Sequence, residues 1–135
     1  MALHLTAYAF TAAIFLAIDF VWLSWIARSF YFDRLGELLM ERPNMAAAAA
    51  FYAVYVIGVV IFSVAPALKA DSAAHALVYG ALFGFFAYAT YDMTNFATLR
   101  NWPLAVSLVD IAWGTVLTGV AATGGFLATR ALFHA

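Results

Sequence analysis

Cysteine is missing from this chain of 135 residues, and charged side chains are scarce, at 10% of the total. Without cysteine the chain can form no disulfide, no thiolate metal ligand and no thiol nucleophile. The formal net charge of −1 excludes a basic surface for nucleic acid, and the sequence contains no glycine-rich loop of the kind that holds a phosphate. These absences exclude thiol chemistry and nucleic-acid binding before any motif is considered.

Hydrophobic residues make up 67% of the chain, whereas average soluble domains are about 45–50% apolar. Four apolar runs reach or approach the roughly 20 residues that cross a hydrocarbon layer about 30 Å thick. The sequence therefore predicts an all-α integral membrane bundle in contact with the lipid bilayer, with a single transmembrane domain over residues 1–135. The four transmembrane helices are predicted at residues 5–27, 46–68, 73–92 and 104–129.

The charge-rich segment, residues 28–42, lies between the first two predicted spans. Its apolar side chains recur at helical spacing, at Phe32, Leu35, Leu38 and Leu39. Charged side chains lie on the opposite face, at Asp33, Arg34, Glu37 and Glu41. This pattern predicts a short amphipathic helix that lies in the membrane interface.

Lysine and arginine are distributed unevenly between the predicted loops. The first and third connections carry most of them, at Arg28, Arg34, Arg42 and Arg100. The termini and the second connection carry only Lys69 and Arg130. Because cytoplasmic loops of membrane proteins carry the excess of positive charge, we expect the first and third loops in the cytoplasm and both termini outside.

Three aspartates fall inside the apolar runs, at positions 19, 92 and 110. Because successive spans are antiparallel, Asp19, Asp92 and Asp110 are predicted in the same leaflet, on the order of 5–10 Å from the midplane. An ionised carboxylate in hydrocarbon costs at least about 2.5–3.5 kcal/mol, so we expect all three to point into the bundle or a wet cavity. Such a cluster can exchange a proton, bind a cation or act as a general acid or base. The alternative is a satisfied polar network that only fixes helix packing.

Two of these aspartates stand three residues before a tryptophan. The spacing puts both side chains of each pair on one helical face. A tryptophan N–H can donate to a carboxylate and its ring can exclude lipid, so Trp22 and Trp113 are predicted as partners or lids of Asp19 and Asp110, respectively. Other polar side chains predicted around the carboxylates complete the candidate site, namely Tyr52, Tyr55, Tyr91, Thr94, Asn95 and Arg100.

Gly80 and Gly84 form a small-xxx-small pair on the third predicted span, and such pairs let helix backbones approach closely. The pair either packs inside one bundle or contacts a second copy in a homodimer. The sequence leaves both alternatives open.

The other aromatic and imidazole side chains are interpreted as structural. Interfacial residues are predicted at Trp25, Phe30, Tyr31, Phe32 and Trp102, and "FGFFAY" at residues 83–88 is interpreted as span packing. The histidines lie at span ends on the predicted external face, at His4, His75 and His134, with no pair at i, i+4 spacing. We therefore predict no metal site and no cofactor.

Three stretches of the sequence resemble one known family. They are "YDMTNFATLRNWP" (91–103), "AIDFVWLSW" (17–25) and "VDIAWG" (109–114). The family comprises small bacterial membrane proteins with the domain of unknown function 2177, and the resemblance extends over nearly the whole chain. It implies a four-helix protein of the bacterial inner membrane, and it implies no activity and no catalytic residues.

From the residues themselves, three functions are considered. The first is the binding of a proton, a cation or a small ligand at the carboxylate and tryptophan cluster, in a cavity open to the cytoplasm, as in a transporter or channel. The second is a membrane enzyme or enzyme subunit that uses a carboxylate pair as acid and base on a lipid or isoprenoid substrate. The third is an accessory subunit of a larger membrane complex.

Overall fold

The computed structural model describes residues 1–40 and 42–134, with the backbone alone for His134. Glu41 and the His134 side chain, which belong to the amphipathic pattern and the histidine set above, lie outside the described part. The helices, in chain order, are α1 (Ala2–Ile26), α2 (Arg28–Leu35), α3 (Met45–Ala70), α4 (Ala73–Thr98) and α5 (Leu104–His134). Within this described part the chain is 89% helical without strands, and four helices are long and apolar enough to cross a membrane. The all-α membrane bundle predicted from composition is confirmed.

Local sequence sets the helix boundaries. The Asn44 and Ser72 side chains accept hydrogen bonds from backbone N–H groups in the first turns of α3 and α4, and so cap these helices. Pro66 does not end α3, because a π-helical turn at Val60–Val64 precedes it and adapts the backbone where the proline lacks an N–H. A second π-helical turn, Trp22–Ile26, ends α1.

Helix α5 is the centre of the bundle and packs most extensively against α4, then against α1. Gly80 and Gly84 are buried on the α4 face of this contact. A Cβ at Gly80 would lie 2.7 Å from the Ala122 methyl, and a Cβ at Gly84 would lie 2.7 Å from the Thr118 Cβ. Both glycines therefore pack inside the bundle, against α5 of the same chain, which is the first of the two alternatives.

The bundle has two unlike halves. The closed half lies toward the loop at residues 71–72 and holds most of the buried core, such as Ala7, Phe15, Val64, Ala122 and Phe126. The open half lies toward the connections at residues 27–44 and 99–103. There the first part of α3, Met45–Val59, makes little backbone contact with α4 and α5. This separation leaves the space in which the candidate site lies.

The connection between α1 and α3 folds across the end of the open half. Helix α2 ends at Leu35 and a single 3-10 turn, Gly36–Leu38, follows. The helix is shorter than the predicted segment because Gly36 has a φ of 32°, which α-helix does not tolerate. The apolar side chains of the predicted stripe turn toward Trp102 and Val106 around a cavity. Its position in the membrane interface remains a prediction.

Candidate functional site

A cavity of 390 Å³ lies between α1, α3, α4 and α5 in the open half, and we call it the aromatic cavity. Such a volume is typical of sites for small ligands. Seven aromatic side chains line it, Trp22, Phe51, Tyr52, Tyr55, Tyr88, Tyr91 and Trp113. Two carboxylates, one alanine and one leucine complete the wall, from Asp19, Asp110, Ala87 and Leu23. Among these described lining residues there is no lysine, arginine or histidine.

Asp19 is 6% exposed and accepts two hydrogen bonds. The Tyr52 hydroxyl donates to its Oδ2 over 2.6 Å, and the Trp113 Nε1–H donates to its Oδ1 over 3.1 Å. Each oxygen of this buried carboxyl group therefore has one hydrogen-bond donor. Three helices thus meet at this one side chain.

Asp110 is half-buried and accepts a hydrogen bond of 2.9 Å from the hydroxyl of Tyr31 on α2. The Tyr31 hydroxyl in turn accepts a 3.3 Å hydrogen bond from the Trp22 Nε1–H. Burial, followed by the negative charge of Asp110, raises the pKa of Tyr31 above its ordinary value. Tyr31 therefore keeps its proton and remains a donor to Asp110.

The two Asp-x-x-Trp pairs are crossed between helices. Trp113 donates to Asp19, and Trp22 reaches Asp110 through Tyr31, whereas each tryptophan was predicted to serve the aspartate of its own helix. The reason is that α1 and α5 are antiparallel, so the aspartate of one helix is level with the tryptophan of the other. The two indole rings stack at a centroid distance of 4.1 Å and an interplanar angle of 7°.

Asp92 lies in a second cavity of 520 Å³, which we call the connector cavity because residues 28–44 form much of its wall. The Asp92 side chain is fully buried, and neither carboxyl oxygen has a hydrogen-bond donor among the described residues. The carboxyl of Asp110 lies beside it and lines both cavities.

The backbone around Asp92 is held in place from α5 and from the preceding loop. The Ser107 hydroxyl donates to the Asp92 carbonyl oxygen over 2.8 Å. Trp102 Nε1–H donates to the Ser107 Oγ over 3.0 Å. Trp102, predicted as an interfacial residue, therefore also positions the end of α4 against the start of α5.

The structure brings most of the predicted site residues together, but in two cavities instead of one. Asp19 and Asp110 share the aromatic cavity with Trp22, Trp113 and the three predicted tyrosines, Tyr52, Tyr55 and Tyr91. Asp92 joins them only through Asp110. Three predicted residues line neither cavity, namely Thr94, Asn95 and Arg100. Thr94 and Arg100 are exposed, because they lie on the outer face of α4 and in the turn after it.

Sequence reasoning missed three residues of the site. Tyr31 was interpreted as interfacial, and its contact with Asp110 depends on how α2 folds back after the π-helical turn, which no local pattern reveals. Tyr88 was interpreted as packing, although it lies one turn before Tyr91, and its ring fits against Gly114 with no room for a Cβ there. Phe51 lies one turn before Tyr55 on the same face of α3, so this spacing could have identified it as a residue of the site.

The fold and the site together define a helical membrane protein with an aromatic-lined pocket between its own spans. The chain belongs to the family described as "Predicted membrane protein (DUF2177)", whose sequence model matches residues 4–127. This confirms the resemblance drawn from the sequence. Among curated proteins and among solved structures, none matches the chain.

Proposed function

We propose that this membrane protein binds a small organic cation in the aromatic cavity. The observation that carries the proposal is the charge of the cavity wall. Asp19 and Asp110 line one cavity between the membrane-spanning helices, and no cationic side chain stands among the described residues of its wall. Buried carboxylates are normally paired, so a bound cation is the missing partner.

The aromatic side chains favour an organic cation over a bare metal ion. A cation over the face of a tryptophan, tyrosine or phenylalanine gains about 0.5–2 kcal/mol, with the larger values for desolvated sites. Seven aromatic rings line the cavity together with the two carboxylates. Trp22 and Trp113 stack on each other through one face each, so the second face of each indole ring is not covered by the other ring. Aromatic cages with nearby carboxylates are suited to alkylammonium groups, whose charge is spread over apolar surface.

The binding test uses benzyltrimethylammonium and its uncharged isostere, neopentylbenzene. Full-length protein in nanodiscs of neutral phospholipid is titrated with each compound by calorimetry. We expect the cation to bind and the isostere to bind at least about tenfold more weakly, a difference of about 1.4 kcal/mol. Asp19→Asn and Asp110→Asn are expected to weaken cation binding by a similar factor.

The matched control is Asp71→Asn, which removes an exposed carboxylate at the far end of the bundle. Its affinity for benzyltrimethylammonium is expected to equal that of the unaltered chain. Equal affinity for the cation and its isostere, or full binding by Asp110→Asn, would refute the proposal. Correct folding of each variant is checked by circular dichroism before titration.

The location of this site follows from the distribution of positive charge. We propose a bacterial inner-membrane protein whose open half faces the cytoplasm, supported by the arginines of the first and third connections. Because the chain has no cysteine, single cysteines report cleanly on sidedness. A maleimide that cannot cross the membrane is expected to label Ala74→Cys in intact cells and Thr98→Cys only after lysis; the reverse pattern would invert the orientation.

A further inference from the structure

An apolar groove of 470 Å³ runs along the outside of the bundle between α1 and α3. It shares Asp19, Leu23 and Tyr52 with the aromatic cavity, so the two spaces meet at a carboxylate. The rest of the groove wall is apolar apart from Tyr8 and comes from both helices, at Ala12, Leu16, Phe20, Met45, Ala48, Ala49, Ala53 and Val56. The sequence cause is the alanine run that begins α3, whose methyl groups are too small to fill the space beside α1.

The two tyrosines of the groove offer no free hydroxyl to a ligand. Tyr8 donates to the Ala53 carbonyl oxygen over 3.1 Å, and Tyr52 donates to Asp19 over 2.6 Å. A ligand in the groove therefore meets methyl groups, ring surfaces and aliphatic side chains. From the level of Asp19 to the level of Tyr8 the groove extends about 16 Å along α1, at 1.5 Å per residue.

We infer that the ligand of this protein is an amphipathic amine, with its cationic head in the aromatic cavity and an alkyl tail in the groove between α1 and α3. The inference rests on the proposed cation binding and adds the tail. Charge complementarity fixes the direction of the ligand, because Asp19 is where the groove meets the aromatic cavity, which Asp110 also lines. Between Asp19 and Tyr8 the α1 side of the groove is apolar. The tail then runs from Asp19 toward the closed half, that is, toward the membrane interior.

The test compares decyltrimethylammonium with benzyltrimethylammonium, which carries the same head without a long tail. Ala49→Phe places a ring in the groove, whereas Ala50→Phe adds the same ring to the next residue of the alanine run, outside the groove. Each variant is titrated in the same nanodiscs, so that partition of the tail into lipid is common to both. We expect Ala49→Phe to weaken decyltrimethylammonium binding about tenfold relative to Ala50→Phe, while both bind benzyltrimethylammonium alike.

A second measurement locates the tail directly. A decyltrimethylammonium analogue with a diazirine at the tail end is photolysed in the complex, and the adducts are mapped by mass spectrometry. Because the tail end lies far from Asp19 in the direction of Tyr8, adducts at Ala12 or Tyr8 on α1 are expected, with their yield reduced in Ala49→Phe.

The outcomes separate the two proposals. If benzyltrimethylammonium binds but Ala49→Phe leaves decyltrimethylammonium unaffected, the inferred tail site is overturned and the cation site stands. If neither compound binds, the cation site itself fails. Adducts spread over other faces, or crosslinks between two copies through the groove, would also overturn the tail site and assign the groove to bulk lipid or to a second chain.

Discussion

The closed and open halves of this bundle hold the same helices together in different ways. In the closed half, small residues let α4 and α5 approach closely, with Gly80 against Gly119 and Ala122. In the open half, rings and carboxyl groups separate the helices, and side-chain hydrogen bonds to Asp19 and Asp110 replace backbone contact. Lipid is as apolar as a leucine side chain, so helices in a membrane are stabilised by the close packing of small residues. Space for a ligand arises where large side chains prevent the helices from packing closely.

The largest expected effect lies at the boundary between the two halves, where α4 and α5 pack closely, at Gly84→Ala. The new Cβ would collide with the Gly114 carbonyl oxygen and with Thr118, and backbone atoms cannot give way as a flexible side chain can. We expect a loss of about 3 kcal/mol in the free energy of unfolding, at the upper end of typical overpacking costs. Reversible unfolding in mixed detergent micelles measures it.

The matched control for this prediction is Gly119→Ala on α5. Its Cβ would lie 3.3 Å from the Ala81 methyl, a contact that a small shift accommodates. Both substitutions gain the same helix propensity, about 1 kcal/mol in favour of alanine, so the difference between them reports the collision alone. Equal stability of the two variants would show that the close approach of α4 to α5 is not what holds the closed half.

In the open half, Asp→Asn substitutions are expected to have smaller effects on the free energy of unfolding, and the effects at Asp19 and Asp92 should have opposite signs. Asp19→Asn weakens two charge-assisted hydrogen bonds and should cost about 2 kcal/mol. Asp92→Asn removes a buried carboxyl that has no donor among the described residues and offers an N–H toward Asp110, so it should gain about 1 kcal/mol. The same unfolding experiment at neutral pH compares them. A loss at both positions would mean that Asp92 is already satisfied.

The hydrogen-bond relay from Trp22 through Tyr31 to Asp110 is expected to contribute less to stability than the hydrogen bonds to Asp19, because one of its two bonds joins neutral groups. Tyr31→Phe removes the donor to Asp110 and the acceptor for Trp22, and we expect a loss of about 1 kcal/mol. Tyr79→Phe is the control, since Tyr79 is 48% exposed and lies in the closed half. The near-ultraviolet circular dichroism of the stacked Trp22 and Trp113 should change in the first variant and not in the second. An unchanged spectrum in Tyr31→Phe would show that the stacking of Trp22 on Trp113 does not depend on this relay.

The same contrast explains how much could be predicted from the sequence. Length and hydropathy determine that helices span the membrane, because the hydrocarbon layer admits few other structures. Antiparallel order alone was enough to predict that the three aspartates lie toward the same end of the bundle. The crossing of the Asp-x-x-Trp pairs could also have been predicted, because in antiparallel helices the Asp of each helix lies at the same height as the Trp of the other helix.

Other features depend on tertiary packing and have no local signal. The aromatic cavity exists because Met45–Val59 separates from α4 and α5, and the connector cavity exists because α2 folds over the bundle end. Thr94 and Arg100 are close to Asp92 in sequence but lie on the outside, because neighbours along a helix point to different faces. The sequence alone therefore could not predict that the carboxylates are divided between two cavities joined at Asp110.

The smallest effect is expected at the ion pair between Arg130 and Asp71, where Nε and Oδ1 are 2.8 Å apart at the solvent end of the closed half. The two side chains are 46% and 55% exposed, so water screens their attraction. Asp71→Asn keeps a residue that tolerates the left-handed φ of 53° and removes only the charge, so we expect a loss of no more than about 0.5 kcal/mol, and less at high salt. Unfolding measured at low and high salt tests this. Because the same Asp→Asn change is expected to cost several times more at Asp19, an equal cost at both positions would show that burial and hydrogen bonding do not distinguish the open half.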